Sequence, residues 1–87
     1  MKGVNMINIE KVMNEMEKLV GNKFDKDSII CCFQDNEEDI IVSEVEGYTS
    51  NFEEHGTCQL YQAYENKKGS EMFNIWIDEK GIIIRTN

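Results

Sequence analysis

Oxygen, sulfur and imidazole groups that could bind a metal occur at two places in the chain. The run Asp35-Asn36-Glu37-Glu38-Asp39 places oxygen ligands at positions 1, 3 and 5 of a calcium-binding loop, and Glu46 falls at position 12. Position 6, where that loop needs glycine for its sharp turn, is Ile40. The flanking residues are typical of strands rather than helices. The run is therefore interpreted as a charged hairpin tip, and no calcium is expected.

The second place is His55 with Cys58. Together with Cys31 or Cys32 they would supply three zinc ligands, whereas zinc sites usually combine two close pairs. His55 could instead activate Cys58 as a nucleophile, but the surrounding acids should raise the pKa of the thiol and oppose thiolate formation. No phosphate-binding loop or Ser-His-Asp set is present in the sequence. We therefore expect no cofactor, no metal and no enzymatic activity.

The dominant chemical feature of the sequence is a block of negative charge. The 40 residues between Lys26 and Lys67 contain ten acids and no lysine or arginine, in a chain whose net charge is −8. Its acids are Asp27, Asp35, Glu37, Glu38, Asp39, Glu44, Glu46, Glu53, Glu54 and Glu65. A net charge of this size keeps a small protein soluble, but solubility explains less well why no base compensates the block.

That charge also bears on the choice of partner. Affinity for DNA comes from cations that displace the counterions of its phosphates, so an acidic chain is not expected to bind nucleic acid directly. A basic protein is the expected partner, because complementary charge speeds encounter.

Length and composition predict one domain over residues 1–87. No apolar run reaches the roughly 18 residues of a membrane helix, and the first residues lack the apolar stretch of a signal peptide. Three cysteines without scaffold spacing indicate reduced thiols. The chain is expected to be cytoplasmic, with no membrane contact.

The predicted elements are one helix and five strands. Asn8 is a predicted helix N-cap, apolar residues recur on a 3.6-residue period through residues 9–20, and Gly21 suits the left-handed end. Strands are predicted over residues 29–34, 40–46, 58–65, 70–78 and 82–86, the first two forming a hairpin. Residues 47–56 are expected to be irregular, with one helical turn closing at Gly56. The predicted fold is α+β, with the N-terminal helix packed on a mainly antiparallel five-stranded sheet.

Two connections, residues 66–69 and 78–81, begin with Asn or Asp and end with Gly, which predicts type I turns with a left-handed glycine. The register that follows places Tyr61, Ala63, Phe73, Ile75, Ile77 and Ile83 on one sheet face. The other face receives Leu60, Tyr64, Met72, Trp76, Ile82 and Ile84. One helix covers one face, so the Trp76 face is expected to be covered by residues 47–56, by a second copy or by a partner.

In size, acidity and absence of motifs, the chain resembles small phage-encoded inhibitors of bacterial defence complexes, the anti-CRISPR group in particular. The resemblance implies a non-enzymatic protein that occupies a basic, nucleic-acid-binding surface of a partner. The carboxylates expected to engage Arg and Lys of that partner are Asp35, Glu37, Glu38, Asp39, Glu44, Glu46, Glu53 and Glu54. The alternatives are an immunity protein that neutralises a basic toxin and a structural homo-oligomer paired through the Trp76 face.

Overall fold

A computed structural model of the protein describes residues 7–34 and 39–87. In chain order the elements are helices α1 (Ile9–Glu17) and α2 (Lys26–Cys31) and strands β1 (Ile40–Phe52), β2 (Gly56–Glu65), β3 (Phe73–Ile77) and β4 (Ile83–Thr86). The strands form one antiparallel sheet in the order β1-β2-β3-β4. The α+β class is confirmed, but the sheet has four strands in the described residues instead of five. Neither described helix is long and apolar enough to cross a membrane.

Helix α1 begins where the sequence predicts. The side-chain oxygen of Asn8 accepts a hydrogen bond from the backbone N–H of Lys11 at 3.0 Å, which is the expected cap. The helix ends at Glu17, three residues before the predicted end, because the following turn tightens to hydrogen bonds between residues three apart. Gly21 then adopts the expected left-handed conformation, with φ of 96°.

The strand predicted over residues 29–34 is wrong, because most of this run belongs to α2. The side chain of Asp25 caps the helix by accepting from the N–H of Asp27 at 3.1 Å. Ile29 and Phe33, four residues apart, are both buried in the core. A short apolar run fits a strand or a helix equally well, and here the cap and the burial of one helical face decide. The hairpin expected with residues 40–46 is therefore absent, and residues 35–38 of its expected tip lie outside the described residues.

The prediction that residues 47–56 are irregular is also wrong. Strand β1 continues to Phe52, and its residues 49–52 pair with residues 56–59 of β2. The turn is confined to residues 53–55, where the N–H of His55 donates to the carbonyl of Phe52 at 2.8 Å. The hydropathy pattern does not predict this strand because its side chains are polar. Its backbone hydrogen bonds are made with β2, so the strand forms without an apolar face.

Both glycine turns adopt the predicted conformation, with φ of 76° at Gly69 and 86° at Gly81. The N–H of Asp78 donates to the carbonyl of Ile82 at 3.0 Å, as expected. Asn66 instead donates its N–H to the carbonyl of Asp39 at 2.7 Å, and β3 begins only at Phe73. The register between β2 and β3 is nevertheless the predicted one, and Ile77 pairs with Ile83 as predicted. Beyond Ile77 a bulge shifts the register by one residue, so that Trp76 lies opposite Arg85 instead of Ile84.

The core lies between the two helices and one face of the sheet. It includes Val12 and Met16 of α1, Ile29 and Phe33 near α2, and Val42, Ala63, Phe73, Ile75, Ile77 and Ile83 of the sheet. Phe33 meets the edge of Phe73, with ring centroids 5.4 Å apart. The predicted core face is therefore correct. Ile9 and Met13, also in the predicted helix stripe, are exposed.

Candidate protein-binding surface

Strand β1 lies at one edge of the sheet and is 13 residues long. It pairs with β2 on one side, and in the described residues no strand pairs with its other side. Its first residues carry core side chains, but nearly every residue from Glu44 to Asn51 is exposed. The distal half of β1 is therefore an open edge rather than part of the core.

A bulge interrupts β1 within this exposed half. Glu44 lies opposite Tyr61 and Thr49 opposite Gln59, so residues 45–48 of β1 face the single residue between those partners. The side-chain nitrogen of Gln59 holds the bulge by donating to the carbonyl of Val45 at 2.7 Å. Such a bulge bends and twists the strand and re-aims its side chains.

The consequence of the bulge is a projecting group of side chains. Gly47 has a φ of 83°, a conformation that glycine adopts without steric cost. Glu46 and Tyr48 on either side are exposed, and Tyr48 has 63% of its surface in solvent. An aromatic ring and a carboxylate are thus both exposed at the bulge.

The acids predicted to bind a partner are distributed along β1. Asp39 precedes the strand, Glu44 and Glu46 lie in its middle, and Glu53 and Glu54 form the turn at its end, all of them exposed. Asp35, Glu37 and Glu38 lie outside the described residues. Because of the bulge, β1 runs alongside only the ten residues of β2, which at about 3.3 Å per residue is roughly 30 Å. The carboxylates therefore form a line along one edge and not a single cluster.

Glu44 is the one acid of this line with a side-chain hydrogen bond in the described residues. The hydroxyl of Tyr61 donates to its Oε1 at 3.2 Å. Burial and this hydrogen bond to Glu44 raise the pKa of the Tyr61 phenol. Glu44 is thus held at the margin of the helix-covered face, while the acids beyond it point into solvent.

Two further acids, Asp78 and Glu79, were missed in the sequence because they lie outside the acidic block. They occupy the β3–β4 turn. Burial is the main cause that raises the pKa of Cys58 near the start of β2, and the negative charges of Asp78 and Glu79 raise it further. Ile77, the residue before the turn, pairs with Gln59 of β2, so the turn lies beside the β1–β2 hairpin end. Asp78 accepts from the N–H groups of Ile82 and Lys80, both at 2.9 Å, and these bonds lower the pKa of its carboxyl. The turn sequence identified the hydrogen-bonding role of Asp78, but only the fold brings it to the hairpin.

Trp76 lies on the opposite face of the sheet from the helices and is half-buried. Its ring packs against Phe52, with centroids 5.4 Å apart, and Leu60 pairs with it and is buried. Beside them, the amide of Gln62 donates to Asn74 at 2.9 Å. Of the three expected covers of the Trp76 face, residues 47–56 contribute one through Phe52. Tyr48 of the same segment does not contribute. Trp76 lies at the hairpin end, close to the turn with Glu53 and Glu54.

Two of the three cysteines, Cys32 and Cys58, are buried. Burial, with smaller contributions from Glu15 and Cys31, raises the pKa of Cys32 to about 11. The thiol of Cys58 is likewise buried, and its pKa is raised. Both thiols are protonated near neutral pH. Across residues 7–34 and 39–87, no group of three His, Cys, Asp or Glu side chains is placed to hold a metal ion.

No protein-family model, no curated protein and no solved structure matches this chain. Its function is therefore inferred from the charge and geometry of its surface.

Proposed function

We propose that this protein is a non-enzymatic acidic binding protein that occupies a basic, nucleic-acid-binding surface of a partner protein. Its binding surface is the line of carboxylates along β1 and the turn that follows it, with Trp76 at the hairpin end. We further propose that the partner belongs to a bacterial defence complex, as for the phage-encoded anti-CRISPR inhibitors that the chain resembles in size and acidity.

The observation that carries the proposal is the absence of compensating charge along this edge. Six acids between Lys26 and Lys67 are exposed in the described residues. They are Asp27 of α2 and, along β1 and the turn after it, Asp39, Glu44, Glu46, Glu53 and Glu54. The ion pairs within residues 7–34 and 39–87 are Lys18–Glu15 and Lys67–Glu65, and none of the six takes part in them. Their charge is therefore available to a partner.

The shape of the molecule supports the same function. The described residues extend over 50 × 24 × 19 Å, and the exposed carboxylates follow the longest strand, β1. Carboxylates spread along such an edge present negative charge as a line, which is how a nucleic acid presents its phosphates. Complementary charge of this kind accelerates association and selects against partners of the wrong sign.

A homodimer through the Trp76 face is a second candidate, favoured by the partial exposure of Trp76 on a face that the described helices leave open. An immunity protein against a basic toxin would use the same carboxylates as the leading proposal. It differs from that proposal in the identity of the target and not in the chemistry of the surface.

The leading proposal is tested by capture from a bacterial lysate with the immobilised chain. The wild type is compared with the triple variant Glu46→Gln, Glu53→Gln and Glu54→Gln. The matched control is Glu10→Gln, Glu17→Gln and Glu71→Gln, which removes the same charge from exposed positions elsewhere. We expect the wild type and the control to retain the same basic protein at low salt, and the triple variant to lose it.

Duplex DNA or RNA added to the lysate distinguishes a nucleic-acid-binding surface from other basic surfaces. We expect the added nucleic acid to displace the captured protein, because both compete for the same cations, and high salt to release it. Capture that survives both the triple substitution and the added nucleic acid would contradict the proposal.

A further inference from the structure

The two edges of the sheet differ in what their backbone groups contact. Edge strand β4 has four residues, and the loop after α1 covers its start. The N–H of Gly21 donates to the carbonyl of Ile83 at 2.7 Å, and the N–H of Ile83 donates to the carbonyl of Asn22 at 2.9 Å. A short, covered edge of this kind is how proteins prevent unwanted strand pairing.

The other edge is open at its distal end. From Thr49 to Phe52 the backbone pairs with β2 on one side. In the described residues, the outward backbone groups of Thr49, Ser50 and Asn51 make no hydrogen bond. Thr49, Ser50 and Asn51 are small, polar and exposed, so their side chains leave room for an approaching chain. The chain contains no proline, and this segment contains no lysine, two residues that commonly protect edges.

We propose that the edge from Tyr48 to Phe52 receives an extended, Lys- or Arg-containing segment of the partner protein as an added antiparallel strand. The inference rests on the proposed function, since it specifies how the acidic surface holds its basic partner. The added backbone would supply hydrogen bonds to the outward groups of β1. Tyr48 would supply apolar contact at one end of the new strand.

Charge decides between a basic segment and a second copy of this chain. If two copies paired antiparallel along residues 49–52, the bulge with Glu46 in one copy would lie near the turn with Glu53 and Glu54 in the other. Like charges placed across a strand pair are destabilising. A basic segment at the same edge would bring its cations to Glu46 at one end and to Glu53 and Glu54 at the other. The arrangement therefore disfavours self-pairing and favours a cationic strand.

The probe for this proposal is a synthetic peptide of alternating lysine and threonine, about as long as residues 48–54. Its control is the same peptide methylated at every backbone nitrogen, which keeps the charge but cannot donate a backbone hydrogen bond. Binding is followed by NMR on the 15N-labelled full chain, together with amide hydrogen exchange. We expect the unmodified peptide to bind about ten-fold or more tightly than the control, which corresponds to one or two net hydrogen bonds.

We also expect the shift changes and the slowed exchange to be centred on residues 48–52. The variant Glu46→Gln, Glu53→Gln and Glu54→Gln should weaken binding of both peptides. Equal binding of both peptides to the wild type, or binding of neither, overturns the added strand. Equal binding that the triple variant abolishes leaves the acidic-surface function standing, whereas loss of both peptide binding and lysate capture removes both proposals. Slowed exchange in the free protein that increases with its concentration would instead show a second copy at this edge.

Discussion

The two faces of the sheet are formed by the same strands but differ in how completely they are covered. On the helix side, Ala63, Phe73 and Ile75 are almost fully buried. On the other side, Leu60 and Cys58 are buried, but Trp76 is only half-buried and the polar pair Gln62–Asn74 lies beside it. The comparison indicates that stability resides mainly in the first face. Folding therefore depends less on the second face and on the exposed half of the edge strand.

The largest expected effect is on the helix-covered face. Phe73→Ala should lower the free energy of unfolding by about 3–5 kcal/mol, because a ring with 2% of its surface exposed leaves a cavity when it is truncated. Urea denaturation measures this loss. A loss below about half a kcal/mol, the size of ordinary surface effects, would show that Phe73 does not lie in the core.

A smaller effect is expected on the open face. Trp76→Ala should lower the free energy of unfolding by about 1–3 kcal/mol, since truncating a half-buried ring leaves a smaller cavity than truncating a fully buried one. In the free wild type, iodide should quench the Trp76 emission in part. Sedimentation of the variant beside the wild type examines the homodimer alternative, which requires a dimer that the substitution converts to a monomer. A cost equal to that of Phe73→Ala would contradict the difference between the faces.

The reactivity of the thiols measures how accessible the Trp76 face is to solvent. Cys31 is exposed, whereas Cys58 is 1% exposed although its strand position puts it on the Trp76 side. Iodoacetamide should modify Cys31 at least about ten-fold faster than Cys58, because burial limits access and raises the pKa of the Cys58 thiol. Peptide mapping by mass spectrometry measures the two rates. Comparable rates would mean that this face opens in solution.

The smallest effect on folding is expected at the hairpin end. The double variant Glu53→Gln and Glu54→Gln should change the free energy of unfolding by no more than about 0.5 kcal/mol, because exposed charges contribute little. Thermal denaturation is the measurement, with Glu17→Gln and Glu71→Gln as the matched pair. A large loss of stability would assign these acids to the structure rather than to a partner.

Several parts of the fold could be predicted because local chemistry determines them. The Asn8 cap, the left-handed Gly21 and the two glycine turns each depend on neighbouring residues, and the turns set the register that places Phe73 and Trp76 on opposite faces. Helix α2 was missed because its apolar run has no length or periodicity that separates helix from strand. The distal half of β1 was missed because only pairing with β2 makes it a strand.

The candidate site was predicted less completely than the fold. The exposed acids of β1 follow from the charge of the sequence, but their arrangement as a line depends on the length of a strand that polar residues conceal. The bulge at Gly47 depends on how Glu44 and Thr49 each pair with β2, and no local sequence pattern predicts this pairing. Asp78 joins the hairpin end through the tertiary fold, far from the acidic block in sequence.

The hydrogen bonds between the loop after α1 and β4 also affect the order in which the protein can fold during synthesis. Ile83 belongs to the last strand, yet it holds Gly21 and Asn22, which leave the ribosome early. The loop therefore cannot dock until β4 has been made. Until then the core of the nascent chain lacks β4 and the docked loop, so Ala63, Phe73 and Ile75 stay accessible to chaperones or to other chains.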